Sequence, residues 1–167
     1  GRCFANDIVL DSTGAYVAAR TQGDSTGHML TIKYSKAGVE QWARTAGTDN
    51  GKCYGIATSP LGGVVVTGVA SGTGSQNVAT AKYSADGTYQ WSAQYHCGQD
   101  YPVKVIPYGQ GGCYVTGRSS LYANSDYVTI HYDSLGNLAW LSRIGGPGGG
   151  QDHAKSMVLD AAGTYLY

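Results

Sequence analysis

The segment Thr31–Trp42, TIKYSKAGVEQW, decides the fold, because close copies follow at Thr80–Trp91, TAKYSADGTYQW, and at Thr129–Trp140, TIHYDSLGNLAW. Tyrosine, glycine and tryptophan residues keep their place in every copy and recur at a spacing of 49 residues. Such a fixed period is typical of repeat architectures, in which one supersecondary unit is copied and neighbouring copies bury each other's apolar faces. The equivalent residues are Tyr34, Tyr83 and Tyr132; Gly38, Gly87 and Gly136; and Trp42, Trp91 and Trp140.

The composition favours short strands and tight turns over helices. The chain has 26 Gly and 14 Tyr but only one Phe and four Pro. Tyrosine suits a pleated sheet, and glycine suits the turns between strands. We therefore predict an all-β protein with almost no helix.

The charge content argues against two classes of partner. Basic and acidic residues number 11 each, and only 13% of all residues are charged. Nucleic acid and anionic membranes attract a concentrated positive surface, which this balance does not provide. No apolar run approaches the roughly 20 residues that a membrane-spanning helix needs. We predict no nucleic-acid partner and no membrane insertion.

The first unit is predicted to contain four antiparallel strands. Residues 3–10 form an apolar strand, the turn 11–14 ends on a glycine, and residues 16–19 return as the second strand. The third strand, 28–34, alternates between two faces, and the fourth strand, 40–45, carries Trp42.

The same pattern organises the rest of the chain, which we interpret as one repeat domain over residues 1–167. The units span approximately 3–50, 51–99 and 100–149, and a partial fourth unit spans 150–167. In that last unit, residues 153–160 match residues 4–11 and predict a first strand, and residues 163–167 predict the start of a second. Its third and fourth strands are missing, so we expect a continuation of the polypeptide, or a neighbour in an assembly, to complete it.

A known repeat family matches these features. Strand segments Val66-Thr67-Gly68 and Val115-Thr116-Gly117, together with Asp126–Trp140, resemble the seven-bladed β-propeller repeats of large secreted and surface proteins. The resemblance covers nearly the whole chain and implies four-stranded blades, about three and a half of them here. It implies an extracellular scaffold and supplies no shared catalytic residues. The first unit departs from the pattern, with Ala18-Ala19 in place of Thr-Gly.

A β-trefoil is the alternative fold, because it also has three four-stranded units. Its lectin branch carries a Gln-x-Trp signature, whereas Gln41 and Gln90 directly precede their tryptophans and Ala139 takes that place in the third copy. Twelve strands complete a trefoil, and the sequence predicts fourteen. The propeller is the preferred prediction.

Three aspartates recur in the connections between units: Asp49, Asp100 and Asp152. They could form a carboxylate ring that binds a cation or polar ligand near a central channel. Alternatively, each side chain could accept hydrogen bonds from backbone N–H groups of its own turn, which is the commoner role. Calcium needs several oxygen ligands at one point, and these residues come from separate units.

The aromatic residues divide into two groups. The periodic Tyr34, Tyr83, Tyr132, Trp42, Trp91 and Trp140 are predicted to be equivalent interior residues, because large rings dominate burial. The non-periodic Tyr101, Tyr108 and Tyr122 lie in or near connections and are the better candidates for ligand binding. His131 replaces Lys33 and Lys82 of the other units, which suggests a solvated strand face. The second-to-third-strand loops, 21–27, 71–76 and 119–125, vary and are where partner specificity is expected.

The chain has four cysteines, Cys3, Cys53, Cys97 and Cys113. They have neither the Cys-x-x-Cys spacing of a zinc site or redox motif nor a paired histidine. In the predicted topology Cys97 and Cys113 lie on opposite rims, too far apart to be bridged. A disulfide between Cys53 and Cys97 is possible. We predict no metal and no cofactor.

The sequence therefore predicts a non-enzymatic scaffold that is extracellular or on the cell surface. Its loops would meet protein or glycan partners, or its units would pack with further blades or neighbouring subunits in an assembly. Two alternatives stay open: a carbohydrate-binding, lectin-like module, and an enzyme domain with a site at the propeller channel.

Overall fold

The computed structural model describes residues 2–22, 27–47, 50–71, 75–121 and 124–160. Within these ranges the chain consists of β-strands, turns and irregular segments without a helix, so the all-β prediction is confirmed. The strands are β1 (Arg2–Asp11), β2 (Gly14–Gln22), β3 (Met29–Ser35), β4 (Glu40–Ala46), β5 (Lys52–Thr58), β6 (Val64–Ser71), β7 (Gln76–Tyr83), β8 (Tyr89–Tyr95), β9 (Gln99–Tyr108), β10 (Gly112–Leu121), β11 (Asn124–Tyr132) and β12 (Leu138–Ile144).

The strands form three sheets, one for each predicted unit. Their orders are β1-β2-β3-β4, β5-β6-β7-β8 and β9-β10-β11-β12, and every pairing is antiparallel. Each strand thus bonds to its neighbour in sequence, as expected when short turns join antiparallel strands. Among the described strands no ladder joins one sheet to another, which differs from the barrel that a trefoil shares between its units.

One turn type connects the third and fourth strands of every unit, and we call it the third turn. Gly38, Gly87 and Gly136 have φ angles of 77°, 81° and 84°. Only glycine reaches this left-handed region without steric cost, which explains its recurrence. In each turn the glycine N–H donates to the carbonyl oxygen three residues earlier, over 2.9, 3.0 and 3.1 Å respectively.

Each sheet also contains the same two irregularities. The first strand has a bulge where the register skips one residue: Asn6, Tyr54 or Val103. The fourth strand has another, at Gln41, Gln90 or Ala139. A bulge places two residues opposite one and shifts the side-chain alternation, so Trp42 shares a face with Lys33 and not with Tyr34.

The units stack in sequence order. The first strand of each following unit packs against the unit before it: β5 against β1, β2 and β3, and β9 against β5, β6 and β7. One buried cluster joins units 1 and 2 around Trp42, Val66 and Tyr83. A second joins units 2 and 3 around Trp91, Val115 and Tyr132. Apolar residues therefore lie on both faces of the middle unit.

The predicted first strand of a fourth unit is not formed by the described residues. Residues 152–158 belong to no strand, and Gln151 makes one isolated parallel bridge to Ser125. A strand needs a ladder partner, and the residues predicted to supply it, 163–167, lie outside the described part of the chain. Ala154 and Met157 are nevertheless buried, at 4% and 1% exposure, so the segment packs on unit 3 without a ladder.

Within the described ranges there is no helix with the length and apolar character needed to cross a membrane.

Candidate functional site: the open faces of the stacked units

In each contact between two units, a tryptophan of one unit packs under the third turn of the next unit. The indole Nε1 of Trp42 donates to the carbonyl oxygen of Ala85 over 3.0 Å, and Nε of Arg44 donates to that of Gly87 over 2.9 Å. A Cβ atom on Gly87 would lie 2.8 Å from Cγ of Trp42. Real Cβ atoms essentially never approach so closely, so only glycine fits over the ring.

The next contact repeats the packing of the ring under the turn, but the buried indole Nε1 of Trp91 has no hydrogen-bond partner. A Cβ atom on Gly136 would lie 2.8 Å from Cδ2 of Trp91, so the third turn of unit 3 covers that ring. The periodic tyrosine of the following unit packs beside each tryptophan, with ring centroids 6.0 Å apart for Trp42 and Tyr83, and 6.1 Å apart for Trp91 and Tyr132. We call the face that carries the tryptophan the trailing face, and the face that carries the tyrosine the leading face.

The third unit presents its trailing face without such a turn. Trp140 is 40% exposed, whereas Trp42 and Trp91 are 7% and 6% exposed. The prediction that all three tryptophans are interior is therefore wrong for Trp140. The physical reason is that burial comes from the following unit's third turn, and the described residues supply none after unit 3.

The exposed indole belongs to a row of ring side chains. Tyr114 pairs with His131, and His131 with Trp140, across β10, β11 and β12. The rings of Tyr114 and His131 stack at 4.5 Å, and Trp140 lies 5.7 Å from each. Tyr108 extends the group, with its centroid 5.1 Å from that of Tyr114. We call Tyr108, Tyr114, His131 and Trp140 the aromatic face.

The equivalent row in the other units carries a lysine in place of His131. The ammonium of Lys33 lies 2.8 Å from the Asp11 carboxylate and 3.6 Å above the Tyr16 ring. Lys82 donates to the carbonyl oxygen of Gly111 over 2.7 Å. His131 is half-buried, and burial lowers its pKa below the ordinary 6.5, so it is neutral at pH 7. The sequence suggested that His131 lies on a solvated strand face, whereas in the structure its ring stacks on Tyr114.

The first unit is open on its opposite, leading face. Ile8 and Leu10 are 58% and 71% exposed, and with Val17, Tyr34 and other residues they line a groove of about 440 Å³. The equivalent tyrosines Tyr83 and Tyr132 are buried, each at 2% exposure. Tyr34 is only half-buried, because the described residues contain no unit before the first. Among the described residues, apolar side chains are therefore exposed on the leading face of unit 1 and at Trp140 on the trailing face of unit 3.

The predicted aspartates do not converge on a described site. The carboxylate of Asp100 is fully buried and accepts a hydrogen bond from the backbone N–H of Cys97 over 2.8 Å. The carboxylate of Asp152 accepts one from the N–H of Gly146 over 2.6 Å. Both therefore hold the backbone of their own connection. Asp49 lies outside the described residues, and the described part of the chain has no cluster of three or more metal-ligating His, Cys, Asp or Glu.

The predicted binding tyrosines have different surroundings. Tyr101 is half-buried under the guanidinium of Arg118, whose Cζ lies 4.5 Å from the ring centroid. Tyr108 is half-buried in the aromatic face and borders a groove of about 200 Å³ with Gln110 and Asp133. Tyr122 lies outside the described residues. So do positions 23–26, 72–74 and 123 of the loops in which specificity was expected.

A polar network that the sequence did not predict surrounds Arg143. Its Nε donates to Asp126 over 2.6 Å, its Nη2 to the carbonyl oxygen of Ser119 over 3.2 Å, and its Nη1 to the sulfur of Cys97 over 3.0 Å. The contact with Cys97 reaches from β12 to the connection between β8 and β9. The guanidinium thus ties unit 3 to the connection that precedes it.

All four cysteines are free, so the possible Cys53–Cys97 disulfide is not formed. The two cysteines lie in different parts of the fold. Cys53 is buried in the contact between units 1 and 2, with its sulfur 3.7 Å from the carbonyl oxygen of Leu30. Cys97 lies instead beside Arg143 at the start of unit 3.

We predict that the cysteines differ strongly in reactivity. Burial raises the pKa of both Cys53 and Cys113 to about 12, whereas Cys3 is exposed. Since the thiolate is the nucleophile, a thiol reagent at pH 8 should modify Cys3 rapidly and the two buried thiols only as the protein unfolds. Mass spectrometry of a labelling time course measures this, with Cys3→Ser as the control that removes the fast reaction. Equal rates at Cys3 and Cys53 would contradict the assigned burial.

The aromatic face could be only partly foreseen from the sequence. The change from lysine to His131 is visible at the 49-residue spacing, and it marks unit 3 as different. That Tyr114 and Trp140 flank His131 depends on the bulge at Ala139, which no short-range pattern specifies.

The chain matches no protein-family model and no curated protein sequence.

Proposed function

We propose that this chain is a non-enzymatic scaffold of β-propeller blades, extracellular or on a cell surface. It presents connecting loops to protein or glycan partners, or packs with further units in an assembly. The observation that carries this proposal is the repeated contact between a tryptophan and the next unit's third turn, which recurs at Trp42–Gly87 and Trp91–Gly136. Units that stack through one recurring contact form a frame, and the loops outside that contact are free to vary.

Two further observations support the blade interpretation. The three sheets share one strand order, one pair of bulges and one turn geometry, as copies of a blade would. Apolar side chains lie on both faces of the middle sheet, as expected of a blade between two others. The resemblance to seven-bladed propeller repeats, carried by Val66-Thr67-Gly68 and Asp126–Trp140, agrees with this arrangement.

The roles of the described aspartates favour a scaffold over an enzyme. A catalytic carboxylate must reach a substrate, whereas Asp100 is fully buried and Asp152 holds the N–H of Gly146. We expect no turnover in panels of glycoside and phosphoester substrates. Activity that disappears in Asp100→Asn or Asp152→Asn, while the variant stays folded, would establish the enzyme alternative.

A loop replacement tests the scaffold proposal directly. Residues 121–124 would be replaced by four Gly and Ser residues, and the matched control would be Leu135→Ser in the exposed third turn of unit 3. We expect melting temperatures close to wild type for both proteins, because substitutions in loops and at exposed side chains such as Leu135 usually change stability little. In glycan and extracellular-protein arrays, we expect the loop variant alone to lose binding. Glycan binding that is instead lost with Tyr101→Ala or Tyr108→Ala would favour the lectin-like alternative.

A further inference from the structure

A groove of about 290 Å³ lies between units 1 and 2, and the residues that line it are all described. Unit 1 contributes the turn after β1 together with β3 and β4, and unit 2 contributes its third turn. The volume is close to the lower end of the range for pockets that hold small molecules, about 300 to 1,000 Å³. We call it the inter-unit groove, and its polar and aromatic lining residues are Thr13, Lys33, Ser35, Gln41, Trp42 and Asp86.

Lys33 leaves this space open by binding back to its own unit. Its ammonium lies 2.8 Å from the carboxylate of Asp11, the last residue of β1. At the next contact, the equivalent Lys82 instead donates to the carbonyl oxygen of Gly111 in the following unit, over 2.7 Å. Pro60 holds the position equivalent to Asp11 there, so Lys82 lacks that carboxylate. Asp11 thus explains why the two lysines have different partners.

The inter-unit groove offers both donors and acceptors of hydrogen bonds. An ammonium group has three N–H donors. The contacts of Lys33 with described residues are one hydrogen bond to Asp11 and the face of the Tyr16 ring, so the group can donate further. Gln41 donates through Nε2 to the carbonyl oxygen of Val39 over 3.3 Å, which leaves its amide oxygen as an acceptor.

The charges of the groove favour a neutral ligand over an ion. Asp11 neutralises Lys33, and Asp86 adds one exposed carboxylate, so an anion would meet no net positive charge. A metal ion would need several oxygen ligands that converge on one point. The part of the chain that the structure describes has no group of three metal-ligating side chains.

We propose that the inter-unit groove binds one neutral sugar residue of a glycan. Every sugar hydroxyl group both donates and accepts hydrogen bonds, so Lys33 can donate to one while Gln41 and Asp86 accept from others. Trp42, which is 7% exposed, adds apolar surface for the C–H groups of the sugar ring. A small number of placed polar groups beside apolar surface is the usual composition of a small-molecule pocket.

The groove is separate from the loops that carry the proposed function. Its residues lie on β3, β4, the turn after β1 and the third turn of unit 2, and none of them belongs to a second-to-third-strand loop. Sugar binding in the groove can therefore fail while loop-mediated binding stands, and loop binding can fail while the groove still binds sugar.

Nuclear magnetic resonance of the indole N–H groups in the whole chain provides the test, because Trp42 lines the groove and the other two tryptophans do not. Trp91→Phe and Trp140→Phe assign the three signals. The probes are the methyl glycosides of glucose, galactose, mannose, fucose and N-acetylglucosamine. We expect at least one glycoside to shift the Trp42 signal saturably in the millimolar range, whereas sodium acetate and sodium sulfate should give no saturable shift.

Two substitutions remove the proposed acceptors. Unit 1 carries Ala37 at the position of Asp86 in a turn of the same geometry, so Asp86→Ala keeps the turn. We expect Asp86→Ala and Gln41→Ala each to weaken glycoside binding about fivefold to tenfold, the usual effect of losing one hydrogen bond. The matched controls are Gln90→Ala and Leu135→Ala, the same substitutions at the equivalent exposed positions one unit later, and they should bind like wild type.

Three results would overturn the proposal: a Trp42 signal that no glycoside shifts, glycoside affinity in Gln41→Ala and Asp86→Ala equal to that of wild type, or saturable binding of acetate or sulfate in place of the glycosides. Melting curves show that the variants are folded. Glycoside binding that is lost on replacement of residues 121–124 and kept in Gln41→Ala would place the sugar in the loops and would also overturn it.

Discussion

Replacing Trp42 with alanine should lower the free energy of unfolding by about 3 to 5 kcal/mol, the usual cost of truncating a buried aromatic side chain. The indole is 7% exposed and packs against Tyr16, Tyr83 and the third turn of unit 2. Its loss removes the hydrogen bond to Ala85 and leaves a cavity between two units. Urea unfolding followed by circular dichroism measures the change.

Trp140→Ala is the matched control for this prediction, because it makes the same substitution at the equivalent position of another unit. Trp140 is 40% exposed, so we expect a loss of about 1 kcal/mol or less. Acrylamide should likewise quench the fluorescence of Trp140 and spare the other two indoles. Equal destabilisation by both substitutions would mean that the following unit's turn does not create the buried environment of Trp42.

The second large effect is expected at the glycine of the Val-Thr-Gly segments. A Cβ atom on Gly68 would lie 1.9 Å from the carbonyl oxygen of Lys52, and one on Gly117 would lie 2.2 Å from that of Tyr101. Both obstacles are backbone atoms of the neighbouring first strand, beside its bulge. Gly68→Ala should therefore cost about 3 kcal/mol, since β5 would have to move away from β6.

The first unit has room for a side chain at the equivalent position, where it carries Ala19. This residue holds the position equivalent to Gly68 and pairs with Ala5 of β1. β1 packs against β5 on one side only, whereas β5 is held between β1 and β9, so β1 has room to adjust. We expect Ala19→Gly to change stability by only about 1 kcal/mol or less. Thermal unfolding should separate the two variants by several degrees, and equal melting temperatures would contradict the close approach at Gly68.

The sequence predicted the local structure of the three units well. The 49-residue spacing, the turn glycines and the alternating third strands specified four antiparallel strands per unit, and the described sheets have them. These signals are short in range, because a turn or an alternating strand depends on its own residues. The same similarity predicted a strand over residues 153–160; residues 152–158 belong to no strand, and the residues predicted to pair with them, 163–167, lie outside the described part of the chain.

The candidate surfaces were predicted less well, for a physical reason. Equal spacing suggested equal burial of the tryptophans, but burial is decided by the unit that follows, and so Trp140 differs from Trp42. Of the three predicted aspartates, Asp152 lies in a connection, Asp100 lies near the start of β9, and Asp49 is outside the described residues. Only the coordinates distinguish a carboxylate that bonds its own backbone, such as Asp152, from one that faces a ligand.

By itself, the sequence determined an all-β chain of repeated four-stranded units, because strand alternation and left-handed glycine turns are local properties of the polypeptide. The tertiary structure alone decided that the periodic tyrosines and tryptophans lie on opposite faces, since the fourth-strand bulge resets the alternation. It also decided that Gly87 and Gly136 cover the indoles of the preceding units and that Cys53 and Cys97 stay apart. The last two properties depend on contacts between residues distant in sequence, which arise only when one unit packs against the next.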